Sequence, residues 1–254
     1  MQNYNNPAPP PPPHGGYGAP PQPPAKKGMS TGVKVLIVAL ILVVGGGVLV
    51  VALAVGGVVY FSRQAQERAG VKTGEALKGL TRAAAGGAEA ETPSPTAEQQ
   101  AAIAGGQTAE WEQQEISWTV PQKWKKSSAE SSTFMWRSPG SWDAASLIVS
   151  ISPMAADFPA EVSLAAFHSG AEQRRKSGEV NEVRWVLLDG VKGVLFRESS
   201  PESPDSPQRL QWIGYRDYKG QKQLVNVMLA SQGKYFARHE DAMYGILYST
   251  DLGE

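Results

Sequence analysis

The side chains whose unperturbed pKa suits acid–base chemistry near neutral pH are His14, His168 and His239, the three histidines of a 254-residue chain, and the Asp and Glu are too scattered for a catalytic carboxylate pair to be picked out. A zinc site wants several His, Asp or Glu side chains converging, often at i and i+4 on one helix. "RHED" at 238–241 sets His239 beside Glu240 and Asp241, but neighbours on a helix point to different faces. His239 falls on the apolar stripe of a helical pattern. It reads as a half-buried, hydrogen-bonded histidine, and His168, beside Phe167, reads the same way. Cysteine is absent, which excludes disulfides, thiolate metal sites, Cys nucleophiles and anchoring through a lipidated Cys. No P-loop, dinucleotide fingerprint or Gly-x-Ser-x-Gly elbow occurs, and no serine has a base partner at motif spacing. The expectation is a protein that is not an enzyme, with no catalytic residue, metal or cofactor.

Recognition chemistry has better candidates. All seven tryptophans fall within residues 110–254, and Trp stacks on sugars or anchors a protein partner. Trp118, Trp136, Trp185 and Trp212 sit in strand patterns and read as core. Trp111, Trp124 and Trp142 stand at strand ends or in turns and are expected to be exposed. For these three, packing over a sheet edge competes with ligand or partner binding. "SSPESPDSPQ" at 199–208 is long for a connection between strands, acidic, and stiffened by prolines. Pro201, Glu202, Pro204 and Asp205 read there either as a docking surface or as a solvated insertion.

The elements that must position these side chains follow from periodicity. Glu115–Val120 alternates as a half-buried strand. Pro121 ends it, because proline has no N–H for a ladder, and Trp124 folds back over its end. The Trp111 segment pairs with it as a hairpin arm. Thr133–Arg137 and Ala145–Ser152 read as a second antiparallel pair. Ser163 caps a helix that Gly178 ends. Two more hairpins turn on Asp189-Gly190 and Lys219-Gly220. A final helix covers about 234–248, with Phe236, His239, Met243, Ile246 and Leu247 at helical spacing. Hairpins with only two helices imply an α+β domain, a mostly antiparallel sheet flanked by helices.

A strand closing in "ISWTVPQKW", the strand "SLIVSI", the helix start "SLAAF", the hairpin "LDGVKGVLF" and the closing "ILYST" together resemble the PsbP-like domain superfamily, the fold type of PsbP, DcrB and LpqN. The resemblance covers most of 110–254 and contains no invariant catalytic residue. It implies an α/β/α sandwich around a central antiparallel sheet. It also implies an accessory or binding protein, with no catalytic residue to carry over.

The remainder of the chain divides by composition. Residues 1–32 are a proline-rich tail expected to be disordered, a spacer or a ligand for a proline-recognising partner. Within 33–61, residues 35–60 form an uncharged apolar run of 26 residues. At about 1.5 Å per residue this is about 39 Å of helix, against a hydrocarbon layer of about 30 Å. The segment reads as a transmembrane signal anchor contacting the lipid bilayer. Ala52 and Gly56 form a small-xxx-small pair suited to weak self-association. Residues 62–109 read as partly helical, then as a flexible tether. Lys/Arg flank the span almost equally, and a polar leading tail favours N-terminus cytoplasmic, C-terminal domain extracytoplasmic. Residues 110–254 carry 16 Lys/Arg and 19 Asp/Glu, a poor match to nucleic-acid phosphates. The function that follows is a membrane-anchored, non-catalytic binding or assembly factor acting through an unidentified membrane or envelope protein. A glycan- or small-ligand-binding module using Trp111, Trp124 or Trp142 is the alternative, and an enzyme with a site assembled from distant residues the third reading.

Overall fold

The two Asp/Lys-Gly turns set the longest strands of the domain. Asp189 and Gly190 have φ of 48° and 79°, and Lys219 and Gly220 have 51° and 79°. Positive φ at both central residues is the backbone of a type I′ hairpin, whose twist matches the strands it joins. The computed structural model describes residues 89–253. In chain order the elements are α1 (Ala97–Ile103), β1 (Gln107–Trp111), a 3₁₀ turn (Glu112–Gln114), β2 (Ile116–Val120), β3 (Lys125–Ala129), β4 (Thr133–Arg137), β5 (Ser146–Pro153), α2 (Ala160–Lys176), β6 (Val180–Leu188), β7 (Val191–Glu198), β8 (Pro207–Tyr218), β9 (Gln221–Gln232) and α3 (Gly233–Tyr248). The expected α+β architecture, an antiparallel sheet flanked by helices, is present.

Seven strands form the main sheet in the order β3-β4-β5-β9-β8-β7-β6, and β1 pairs with β2 as a separate hairpin. Neighbours in both sheets are antiparallel. The registers place Phe134, Val149, Val227, Trp212 and Leu195 in one row across one face. That face is covered by α3 and by the β1–β2 hairpin, and it holds the main hydrophobic core. On the opposite face α2 lies against β6, β7 and β8, where Ser163 Oγ meets the Tyr215 hydroxyl at 2.8 Å.

Close approach fixes residue choice in the core. Trp212 lies across the paired glycines Gly193 and Gly214; a Cβ at either would stand 2.2–2.3 Å from its ring. At Gly245 of α3 a Cβ would come within 2.6 Å of the Gln99 carbonyl, so glycine lets α1 seat directly on α3. The buried Arg216 ties three segments together. Its guanidinium donates to Gln223 Oε1 at 3.0 Å, to the Gln114 carbonyl at 2.9 Å, and to the Leu252 carbonyl.

Several expectations are corrected. Part of 62–109 is ordered rather than a flexible tether: Thr96 and Gln99 form a reciprocal capping box that starts α1, and β1 begins at Gln107. β3 was not expected, because an edge strand made of "KKSSA" has no buried face and therefore no alternation. α2 starts at Ala160 rather than after a Ser163 cap; the Ser163 hydroxyl is buried and engaged by Tyr215. The proline-rich tail and the 33–61 segment with Ala52 and Gly56 lie outside the described residues. Among the described residues no helix is long and apolar enough to cross a membrane.

Candidate functional site

Two of the expected recognition features meet on either side of one helix start. The first is the β4–β5 loop, "SPGSWDAA" at 138–145. Its base is closed by Ser138 N–H donating to the Ala145 carbonyl at 2.9 Å and Ala145 N–H donating to Ser138 Oγ at 2.8 Å. Gly140 sits at φ +114°, where a Cβ would collide with the Asp143 carboxylate at 2.2 Å. Asp143 is then held to α3 twice: its carboxylate accepts from Arg238 at 2.9 Å, and its carbonyl accepts from His239 Nε2 at 2.6 Å. A carbonyl can only accept, so Nε2 of His239 carries the proton. Arg137 reaches the Ser141 carbonyl at 3.4 Å. Trp142 stands between these two tethered residues and is 79% exposed, the single large hydrophobic side chain in that state among the described residues.

The second feature is the β7–β8 loop. Its Ser206 and Pro204 carbonyls accept the first two N–H groups of α3, from Gly233 at 2.9 Å and Lys234 at 3.0 Å. Gln232 at the N-cap supplies no side-chain bond, so this loop satisfies donors that the helix end leaves open. Pro201 packs on Gly233, where a Cβ would stand 2.6 Å from its ring, and Asp205 pairs with Lys234. Glu202, Pro204 and Asp205 remain exposed. The acidic, proline-rich stretch is therefore an ordered cap with a solvent-facing outer side.

Between the loops, α3 presents a half-buried Tyr235. Lys234 Nζ lies 5.1 Å and Arg238 Cζ 5.3 Å from its ring centroid, within cation–π range. Arg238 thus links Tyr235 to the Asp143 anchor of the Trp142 loop. Trp, Tyr and Arg on rigid supports are the residue types that carry most contact energy at protein interfaces.

The other two tryptophans offered as exposed are buried. Trp111 is 1% and Trp124 4% exposed. Trp111 and Trp118 both stack on Phe134, at 5.6 Å and 5.3 Å between centroids, and Trp111 Nε1 donates to the Glu130 carbonyl at 3.0 Å. Trp124 turns back through its N–H to the Pro121 carbonyl at 2.9 Å, closing the end of β2. Of the three, only Trp142 is exposed to a ligand or partner. Trp185, expected in the core, is half-buried, with His168 stacked on it at 4.7 Å and 4° and Lys192 4.7 Å away. Burial lowers the pKa of His168, against the neighbouring Glu172 that favours its charged form.

A charged cluster lies where β6 and β7 meet α3. Arg184 pairs with Glu91 and with Glu182, the latter at 2.5 Å, and donates to the Tyr248 hydroxyl at 2.8 Å. Arg197 pairs with Glu240 at 2.5 Å, and Tyr244 donates to Glu182. Burial, and then the Glu182 carboxylate, push Tyr244 well above the ordinary phenol range. Each charge here is met by an opposite one, the pattern of a structural tie. Among the described residues no group of three or more His, Asp or Glu could hold a metal ion. A depression on α2 is lined by Ser169, Glu172, Gln173, Lys176 and Ser177, all on one helix surface.

No family model matches the chain, and no curated protein matches it. Among solved structures it is similar to LpqN of Mycobacterium tuberculosis, a protein involved in cell envelope biogenesis, at 14% identity and a TM-score of 0.41 over 57% of this chain and 83% of that one. It is also similar to the cyanobacterial PsbP of Synechocystis sp. PCC 6803, at 12% identity and a TM-score of 0.38 over 57% and 91%. The Ran-binding protein Mog1p of Saccharomyces cerevisiae matches at 10% identity and a TM-score of 0.35 over 59% and 96%. The chain spans 45% of a Bacteroides thetaiotaomicron protein that it also resembles, at 10% identity and a TM-score of 0.31.

Proposed function

We propose that this protein is a membrane-anchored, non-catalytic binding or assembly factor of the cell envelope, with a PsbP-like domain that works through protein contact. In this reading residues 35–60 hold it in the bilayer, the proline-rich tail is cytoplasmic, and the carboxy-terminal domain is extracytoplasmic. Ala52 and Gly56 give the anchor a face for weak self-association. The observation that carries the contact reading is Trp142. It is a large aromatic side chain held out to solvent by a loop that is closed at its own base and bonded to Arg137 of β4 and to Arg238 and His239 of α3. Keeping it exposed brings the isolated domain no packing energy, whereas burying it against a partner would bring about 1.5–3 kcal/mol or more. The outer side of the 201–205 loop and Tyr235 with its two cations extend this surface.

The test is a photo-crosslinking amino acid placed at position 142 of the full chain in intact cells, with a second at Glu161 on α2 as reference. The expected result is one reproducible envelope protein captured from position 142 and not from position 161. Capture of lipid alone, or of the same proteins from both positions, would overturn the reading. Protease protection of the carboxy-terminal domain in spheroplasts would separately overturn its extracytoplasmic placement.

A further inference from the structure

The corner of the sheet beside Trp142 carries cations that the domain does not neutralise. Residues 110–254 hold 16 Lys/Arg against 19 Asp/Glu, yet Lys123, Lys125 and Lys126 all stand exposed within four residues of one sheet edge. None of the three forms an ion pair among the described residues. The register sets Lys125 of β3 directly opposite Arg137 of β4. Opposed residues share a face, and like charges there destabilise a sheet. The other cross-strand neighbour of Arg137 is Ser146, so β5 supplies no carboxylate to the pair either. Half-buried Arg137 makes one hydrogen bond, to the Ser141 carbonyl at 3.4 Å, and its Nε has no partner among the described residues. Asp143, the acid of the adjoining loop, is committed to Arg238 at 2.9 Å.

We propose, resting on the contact function argued above for Trp142, that its partner docks through an acidic segment, placing an Asp or Glu carboxylate against Lys125 and Arg137. The geometry joins the two features. Arg137 donates to Ser141, the residue before Trp142, so the unanswered cations lie one hydrogen bond and one cross-strand step from the exposed indole. A carboxylate accepts from a guanidinium and an ammonium together and removes the repulsion that the free domain bears. The indole meanwhile buries an apolar neighbour of that acid on the partner. An anionic lipid surface is the competing acceptor of these cations. It meets the domain as a whole, which has three more acids than bases and is repelled by it. A short acidic segment meets the basic corner alone.

The test applies a carbodiimide, which joins an amine to a carboxylate in contact with it, to membranes from cells that express the full chain. The expected product is an amide between Lys125 and an Asp or Glu of the same protein that a photo-crosslinker at position 142 captures. Lys125→Arg keeps the charge without the amine, so it should lose this link and leave capture from position 142 unchanged. Lys125→Glu should lower that capture several-fold, whereas Lys176→Glu on the exposed surface of α2 should not. The melting midpoint of purified Lys125→Glu should be no lower than that of the wild type, because the charge opposite Arg137 is now of opposite sign. A lower midpoint would show that the pair is not in repulsion and overturns the proposal. Undiminished capture in Lys125→Glu, or Lys125 joined only to carboxylates of this chain, overturns the acidic segment and leaves the contact function of Trp142 standing. Capture of lipid alone, or of no protein, from position 142 overturns both.

Discussion

Trp111 on the β1–β2 hairpin and Trp142 on the β4–β5 loop occupy similar places in the sequence, next to a turn and among polar neighbours. The fold treats them oppositely. Trp111 lies under the hairpin, stacked on Phe134 with its indole N–H bonded to a backbone carbonyl. Trp142 has 79% of its surface in solvent, although the residues on both sides of it are hydrogen-bonded to the body of the domain. The difference lies in the backbone. Ala109 and Trp111 alternate with Thr108 and Glu110 in an extended strand paired with β2, so Trp111 must point into the core. The 138–145 loop is spent on hydrogen bonds that fix its ends, which leaves its aromatic residue outward. One tryptophan stabilises the fold and the other is available for contact.

Removing the buried member should have the largest effect. Trp111→Ala deletes a side chain 1% exposed, and Phe/Trp→Ala in a core costs about 3–5 kcal/mol. Urea denaturation of the purified protein should show a fall of that size in the unfolding free energy, read as a lower urea midpoint at unchanged slope. A loss below about 1 kcal/mol, the scale of a surface change, would mean that the hairpin contributes little and would break the comparison.

Trp185 lies between these extremes, half-buried with His168 stacked on its ring. Burial holds the His168 pKa below its usual value. The unfolded chain, with a pKa of about 6.5, therefore takes up a proton more readily than the folded one. Its contribution to stability is fully present above about pH 6.5 and is lost as pH falls through the lowered folded value. The melting temperature should drop on acidification from about pH 7 to about pH 5. His168→Gln should flatten that part of the profile. The carboxylates whose pKa is lowered, Glu98, Glu115 and Glu179, start from a reference of 4.5 and lose their contribution at more acid pH. An unchanged profile in His168→Gln would remove His168 as the titrating group.

Legibility in the sequence followed the same physics. Asp189-Gly190 and Lys219-Gly220 were readable because a type I′ turn demands positive φ, and few residues supply it. The closing helix was readable because Phe236, Met243, Ile246 and Leu247 are all buried on one stripe. β3 was invisible because an edge strand of polar residues carries no alternation. α1 was missed because seven residues barely exceed the cost of starting a helix. It is held by a Thr96–Gln99 capping box and by contact with Gly245, more than 140 residues away. At the candidate site, Trp142 and the 201–205 loop were picked out, but the Asp143, Lys234 and Arg238 contacts that join them to α3 were not. Those are long-range pairings of charged residues with no local signature. For Trp111 a signal was present: the period of two in "TAEW" is the same one that identified "ISWTV".

The smallest effect on stability belongs to Trp142, and it bears most directly on function. Trp142→Ala removes no buried contact, so the change in unfolding free energy should stay within about 0.5 kcal/mol. A partner that buries this side chain would lose far more, since truncated aromatic anchors commonly cost about 2 kcal/mol or more, about thirtyfold in affinity. The two quantities should therefore separate in one variant: a wild-type melting curve together with loss of the protein co-purified from membranes. Asp143→Ala sharpens the point from the other side. It leaves Trp142 in place and releases the loop from Arg238 while the His239 bond to the backbone carbonyl remains. If pinning matters, capture should weaken in Asp143→Ala as well, though less than in Trp142→Ala. A Trp142→Ala protein that is destabilised would show the side chain to be part of the fold. The distinction between the two tryptophans would then vanish.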